Sequence, residues 1–267
     1  MSNYYGYAGK VLRVNLGDGS YKAKPLDLGK ARLYIGGRGL NSYKVYKEIP
    51  AGTDPMGPEN KLMVSTGPLV GTMFPTASRF NVSAKSPLTR IFGDTTAGGH
   101  LAPEIKFAGY DQIILEGKAE KPSYVSIVDD QVEIKDADCI WGSTVFEADA
   151  GIKKELGDPR TQTLICGPAA EKGVKYGAIF ANQVRAGART GMGTVMASKN
   201  IKGLAVKGTG SIEVYDPERF KELVLALEEE IRNHEQYPGR RQMGTTRILM
   251  MANKAGFLPT RNYNQGT

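Results

Sequence analysis

Cysteine and histidine are nearly missing from this chain of 267 residues, which holds only Cys139, Cys166, His100 and His234. So few ligands, so widely scattered, cannot build a structural zinc site or the four-thiolate set of an iron–sulfur cluster within these residues. Both cysteines have apolar neighbours and read as buried free thiols. No G-x-S-x-G elbow occurs, and with two histidines in the chain a histidine-activated nucleophile is hard to build. No G-x-x-x-x-G-K-[ST] loop occurs either, which removes the P-loop nucleotidases. Long apolar runs are absent too. None approaches the roughly 20 residues a membrane helix needs, and the N-terminus has no signal-peptide core, so a cytoplasmic protein without a membrane role is expected.

What is present describes an ordinary folded chain with a sizeable core, 40% hydrophobic and 24% charged. Its 35 basic and 28 acidic residues give a net charge of +7. They are dispersed, with no block of one sign, so an anionic ligand is expected rather than nucleic acid.

Glycine is plentiful, 33 residues, and it gathers with arginine in residues 179–203, IFANQVRAGARTGMGTVMASKNIKG. Arg185 and Arg189 stand among Gly187, Gly191 and Gly193, and Lys199 and Lys202 follow. Glycines let backbone N–H groups approach an anion, and arginine offers a planar fork to phosphate. The stretch therefore reads as a phosphate cradle, although loop packing is an equally open reading of the same residues. It is not a dinucleotide fingerprint, because Met196 occupies the place of the third glycine. A second stretch, GDTTAGGHLAPEIKFAGYD, places Gly98-Gly99 before a short helix over 102–108.

Alternation predicts strands over 10–16 and 21–26, joined at Gly17-Asp18-Gly19 as a hairpin. Further strands are expected at 61–66, 80–84, 112–115, 123–128, 131–135, 161–166, 175–180 and 203–206. Helical spacing covers 28–35, breaks at Gly36-Gly37-Arg38-Gly39, and resumes over 40–49. A helix over 144–156 ends on Gly157, and one over 190–198 follows the glycine-rich stretch. Asp216 caps a further helix with Pro217 at its first position, Pro238-Gly239 stops it, and another runs over 245–254. The chain thus reads as α+β: a domain of two β-sheets with short helices over 1–208, and the start of a helical domain over 209–267. GGRGL at 36–40 and ARTGMG at 188–193 both set arginine among glycines, an echo that suggests internal duplication.

The ordered motifs resemble the tungsten- or molybdenum-dependent aldehyde:ferredoxin oxidoreductases. The resemblance runs through GKVLRVNL (9–16), YIGGRGL (34–40), DPMGPENKLMVSTGPLVGT (54–72) and RFNVSAKSPLT (79–89). It continues through AGGHLAPEIKFAGYDQIILEGKAEKP (97–122), IWG (140–142), GPAAEKGVKYGAI (167–179) and VRAGARTGMGTVMASKNIKGLAV (184–206). The set is specific, although no single motif is.

The resemblance implies a tungsten or molybdenum atom held by two pyranopterins, magnesium bridging their phosphates, and a [4Fe–4S] cluster in the full-length protein. It implies oxidation of aldehydes to carboxylic acids with ferredoxin as electron acceptor. On this resemblance Arg79 contacts a pterin between the two redox centres, and Gly98 lies in a pterin contact. Thr96 and Ala186 offer backbone carbonyls to the magnesium, while Arg185, Ala188 and Arg189 complete the second cradle.

Two positions depart from the family's pattern. Thr96 stands where asparagine is usual, and Arg185-Ala186-Gly187-Ala188-Arg189 shifts the glycine of R-A-A-G-R by one place, straining Ala188 if that place needs a positive φ. No catalytic residue is assigned. The cluster cysteines are expected beyond residue 267, so the chain reads as a fragment inactive by itself. A non-catalytic pterin-binding or assembly module that partners a separate cluster subunit is the alternative. A homodimer is compatible with the sequence, and the choice of aldehyde, metal and oligomeric state stays open.

Overall fold

The computed structural model describes residues 4–267. The chain divides into two compact units, one ending at Tyr215 and one beginning at Asp216. The first unit opens with β1 (Lys10–Asn15), β2 (Tyr21–Pro25), α1 (Leu28–Tyr34) and α2 (Gly37–Glu48). It continues with β3 (Leu62–Thr66), β4 (Arg79–Lys85), β5 (Phe92–Gly98), α3 (Leu101–Phe107) and β6 (Gln112–Glu116). A second series follows: β7 (Ser123–Val128), β8 (Gln131–Asp136), α4 (Val145–Leu156), β9 (Gln162–Cys166) and α5 (Pro168–Glu171). It closes with β10 (Ile179–Ala181), β11 (Arg185–Gly187), α6 (Met192–Ser198) and β12 (Ile201–Lys207).

The strands form two six-stranded sheets, β2-β1-β6-β3-β4-β5 and β8-β7-β12-β9-β10-β11. Orders and orientations correspond strand for strand. In each sheet the only parallel pair joins the first strand of its series to the last, β1 to β6 and β7 to β12, and every other pair is antiparallel. The chain is therefore internally duplicated, as its sequence suggested, but the echo that suggested it joins places that do not correspond. GGRGL opens α2, whereas ARTGMG lies between β11 and α6, whose counterpart is the link between β5 and α3. The corresponding marks are Gly67-Pro68 after β3 and Gly167-Pro168 after β9.

Alternation along the strands explains the layering. Leu12, Val14, Phe80, Val82 and Ile113 of the first sheet and Val125, Ile127, Leu164 and Leu204 of the second share one core with α3 and α6, which touch both sheets. The outer face of the first sheet, with Val11, Met63 and Ile114, packs under Ala31 of α1 and Leu40 and Val45 of α2. On the second sheet Tyr124, Ile165 and Ala205 pack under Ala148 and Ile152 of α4. That helix carries a full capping box between Thr144 and Glu147 and ends on Gly157 at φ 69°.

One buried charge bridges the halves, and other charge groups tie each half internally. Lys199, after α6, donates to the carbonyls of Pro58 (3.3 Å), Asn60 and Gly117 (2.9 Å) in the other half. Burial pushes its pKa down to about 8. Lys202 on β12 pairs with Glu171 at 2.5 Å and donates to the Ser143 carbonyl. At the outer edge Glu48 meets Arg13 at 2.6 Å and Lys61 at 2.9 Å, and Arg13 also meets Glu116 at 2.9 Å.

Several local expectations are corrected. The expected break between two helices is present but shorter, at Ile35-Gly36, and Gly37 to Gly39 form the first turn of α2. β5 and β11 are strands where none was expected, and residues 175–178 are turn and irregular chain, so that strand is only β10. Cys139 is exposed; Cys166 is buried, and burial pushes its thiol up to about 12.

In the second unit α7 (Pro217–Asn233) starts on the Asp216 cap as expected. It ends before Pro238-Gly239, which lie inside α8 (Tyr237–Met243) because proline suits a first helical turn. The helix expected over 245–254 is a 3-10 turn, Gly244–Ile248, followed by α9 (Leu249–Lys254). None of the described helices is long and apolar enough to cross a membrane.

Candidate functional site

The two sheets meet along their edge strands β5 and β11, and the candidate residues lie on this rim. A Cβ built on Gly187 would stand 2.8 Å from Thr95 Cγ2, and one on Gly99 would stand 3.1 Å from Arg185 Cγ. Thr190 Oγ1 donates to the Asp94 carbonyl at 3.0 Å. Residues 185–190 therefore run alongside β5 in the opposite sense. Arg79 pairs with Gly98 and Asn81 with Thr96 across β4 and β5, which brings the first cradle to the same rim.

The registers relate the two cradles. Thr66 pairs with Phe80, and Phe80 with Ala97, in the first half; Cys166 pairs with Ile179, and Ile179 with Gly187, in the second. Anchored on these pairs, Asn81 corresponds to Phe180, Thr96 to Ala186 and Gly98 to Ala188. The two residues expected to present carbonyls to one metal thus hold the same position in the two halves, each on an edge strand with one row of backbone groups outside the ladder. Arg79 has Ala178 as its counterpart, so the duplication did not preserve that charge.

Arg79, Thr96, Arg185, Ala186, Ala188 and Arg189 are all exposed, and Gly98 is half-buried. Among the described residues none of Arg79, Arg185 and Arg189 makes an ion pair, which leaves three guanidinium groups available to an anion. Ala188 does not adopt a positive φ, so the strain expected there is absent; Thr190 and Gly191 carry the left-handed backbone instead. The displaced glycine has its own reason, because Gly187 is where the edge strands come too close for a side chain.

Other members of the glycine-rich stretch serve the fold. A Cβ on Gly191 would lie 2.0 Å from the Lys175 carbonyl oxygen, and one on Gly193 2.1 Å from that of Ala178. Both glycines press α6 against the preceding turn, and residues 192–197 are buried. Lys199 and Lys202 are likewise buried and engaged. The anion-binding expectation therefore contracts to residues 185–189.

Sequence reasoning passed over a polar network behind Thr96. Asn81 Nδ2 donates to Asp94 Oδ2 (2.9 Å) and Thr96 Oγ1 (3.0 Å). Asn81 Oδ1 accepts from Asn41 Nδ2 (2.9 Å) and Ser83 Oγ (2.6 Å), and Asn41 Oδ1 accepts from Ser65 Oγ (2.5 Å) and Gln112 Nε2 (2.8 Å). Arg38 Nε donates to Asp94 Oδ2 at 2.7 Å. Arg38, Arg79 and Thr96 line one hollow of about 590 Å³ with Gly36, Gly67 and Phe80. The signal available in sequence was the placing of Arg38 in G-G-R-G; nothing local marks Asn81 or Asp94.

Residues 11–208 match the family model described as the aldehyde ferredoxin oxidoreductase N-terminal domain. The chain belongs to that family. It is 41% identical over 263 residues to the tungsten-containing aldehyde ferredoxin oxidoreductase of Pyrococcus furiosus, covering 98% of this chain and 44% of that protein. A second family relative from the same organism, an aliphatic sulfonate oxidoreductase described as a WOR-like subunit, is 35% identical over 243 residues, with 85% of this chain and 39% of the relative covered. Among solved structures, the active-site complex of benzoyl coenzyme A reductase with 1,5-dienoyl-CoA matches at a TM-score of 0.85 and 37% identity, over 87% of this chain and 35% of that one. The chain thus spans less than half the length of these relatives.

Proposed function

We propose that this chain is the base on which a tungsten or molybdenum bis-pyranopterin rests in an oxidoreductase that converts aldehydes to carboxylic acids and passes electrons to ferredoxin. The observation that carries the reading is the correspondence of Thr96 and Ala186 on abutting edge strands, with arginines on both sides. A ligand made of two like halves joined through one metal asks for a floor of two like halves, and the rim has that form.

The residues present fit such a group. Arg185 and Arg189 are free to grip phosphate through charge-assisted hydrogen bonds. Thr96 and Ala186 would turn carbonyls to a magnesium ion between the phosphates, a hard cation that takes oxygen ligands. Gly98 and Ala188 keep the floor low: the nearest atom to a Cβ built on Gly98 is the Ser78 carbonyl oxygen at 3.6 Å. Arg79 would donate to the pterin of the first half, a contact its counterpart Ala178 cannot make. When bound, the metal and its pterins supply two-electron oxidation at the substrate carbon.

A [4Fe–4S] cluster, the ferredoxin contact and the groups that handle the substrate's protons are assigned to the remainder of a longer, cytoplasmic protein. The relatives' names also include an aliphatic sulfonate oxidoreductase and a benzoyl coenzyme A reductase, so the base alone does not select aldehyde as substrate.

The deciding experiment is metal and pterin analysis of the full-length protein produced with both tungstate and molybdate supplied. Stoichiometric metal with two pterins per metal is expected, falling in Arg185→Ala. Protein that folds fully yet carries neither metal would overturn the proposal.

A further inference from the structure

The run Gly36-Gly37-Arg38-Gly39 contains one residue that packing does not explain. A Cβ on Gly36 would lie 2.6 Å from the Thr66 carbonyl oxygen, and one on Gly39 2.1 Å from that of Tyr34, while Gly37 has φ +46°. Close approach and backbone geometry thus account for the three glycines. Arg38 is different. Its side chain is 67% exposed, and its only protein partner among the described residues is Asp94, reached through Nε. Both terminal nitrogens are free, and the side chain lines the hollow that also holds Arg79 and Thr96.

Asp94 is not a casual surface partner. Its side chain is 19% exposed, and the same oxygen that accepts from Arg38 accepts from Asn81, whose amide also donates to Thr96. An exposed ion pair alone contributes little to stability. Here the pair sits at the end of a buried chain of hydrogen bonds that fixes the guanidinium relative to Thr96. The corresponding hollow of the second half, lined by Val145, Phe146, Pro168, Ala178 and Phe180, has no charged residue in its wall.

The geometry points to Arg38 as a further anion-binding residue of the cradle. Its two terminal nitrogens take a phosphate-type oxyanion in the hollow shared with Arg79, and Asp94 and Asn81 hold them in position. The anion is therefore gripped from the first half by a residue without a charged counterpart in the second. This rests on the cradle reading proposed above.

Titration of inorganic pyrophosphate into the 267-residue chain, followed by calorimetry at low ionic strength, tests it. Wild type binds; Arg38→Ala weakens binding by about tenfold, and Arg38→Lys recovers part of the loss, because a point charge replaces a planar fork. Asp94→Asn weakens it by about threefold through lost orientation. Melting temperature stays level in both Arg38 variants, and Arg90→Ala, at an exposed arginine outside this hollow, leaves affinity unchanged. Wild-type affinity in Arg38→Ala alongside weakened binding in Arg185→Ala would overturn the role of Arg38 while leaving the cradle standing. An equal loss in Arg90→Ala would show that only net charge is being read, and would also overturn it. If wild type binds no pyrophosphate, the cradle reading fails and takes this inference with it.

Discussion

Thr96 and Ala186 occupy the same register position in the two sheets of the duplicated unit, one on each of two edge strands that touch. The contact between those strands is made possible at Gly187. Gly187→Ala would put a methyl group 2.8 Å from Thr95 Cγ2 and 3.0 Å from Ile179 Cγ2. We expect a loss of about 1–3 kcal/mol, the usual cost of overpacking. Ala188→Gly, at an exposed position with ordinary backbone, should change stability far less. Urea unfolding of both variants checks the contrast.

The Asn81 network predicts a second effect. Asn81→Ala would leave Asp94, Asn41 and Ser83 without partners they now have, and a stranded buried polar group costs about 1–3 kcal/mol. The same variant should lower pyrophosphate affinity, since it loosens Thr96 and Arg38 together. Stability and affinity measured on one preparation should fall together.

Lys202 and Glu171 form a pair with side chains 0% and 5% exposed. Lys202→Met alone leaves a carboxylate buried and should cost about 3–5 kcal/mol, whereas Lys202→Met with Glu171→Leu should recover much of that loss. A double-mutant cycle by denaturant unfolding measures the coupling.

Acid should weaken the protein partly through Glu48. Burial by itself would raise its pKa, but hydrogen bonds and charge from Arg13 and Lys61 outweigh it and hold the carboxyl well below the usual carboxylate range. A depressed folded pKa adds stability above the unfolded value near 4.5, and that stability fades as pH falls from there. Glu48→Gln should lower stability at pH 7 by about 1 kcal/mol, allowing for the solvent screening of this partly exposed network, and flatten the decline below pH 5. Melting temperatures of both proteins between pH 3 and 7 supply the comparison.

The sequence displayed whatever is decided locally. The 10–25 hairpin shows its turn, and α4 shows its capping box, its apolar stripe and Gly157. β5 escaped notice because Asp94 and Thr96 point outward between small residues, leaving no apolar alternation to read. β11 is three residues long and carries an arginine, so only its place beside β10 makes it a strand. The candidate site was legible as motif residues, but their correspondence across the duplication was not, since it depends on registers between distant strands. Arg38, Asn81 and Asp94 come together only through folding, from three separate segments. Lys199 and Lys202 misled for the opposite reason: a lysine beside glycines suggests a ligand, and burial against carbonyls or a carboxylate is invisible in one dimension.

The placing of β6 and β12 governs how the chain can assemble. Each is the last strand of its series, yet each inserts between the first and third, β6 between β1 and β3 and β12 between β7 and β9. Until Gln112–Glu116 emerges from the ribosome, the β1–β2 hairpin and the β3–β4–β5 meander have no strand to join them, and the same wait recurs before Ile201–Lys207. Completing each sheet therefore requires a long-range parallel pairing, the kind of contact that is slow to form.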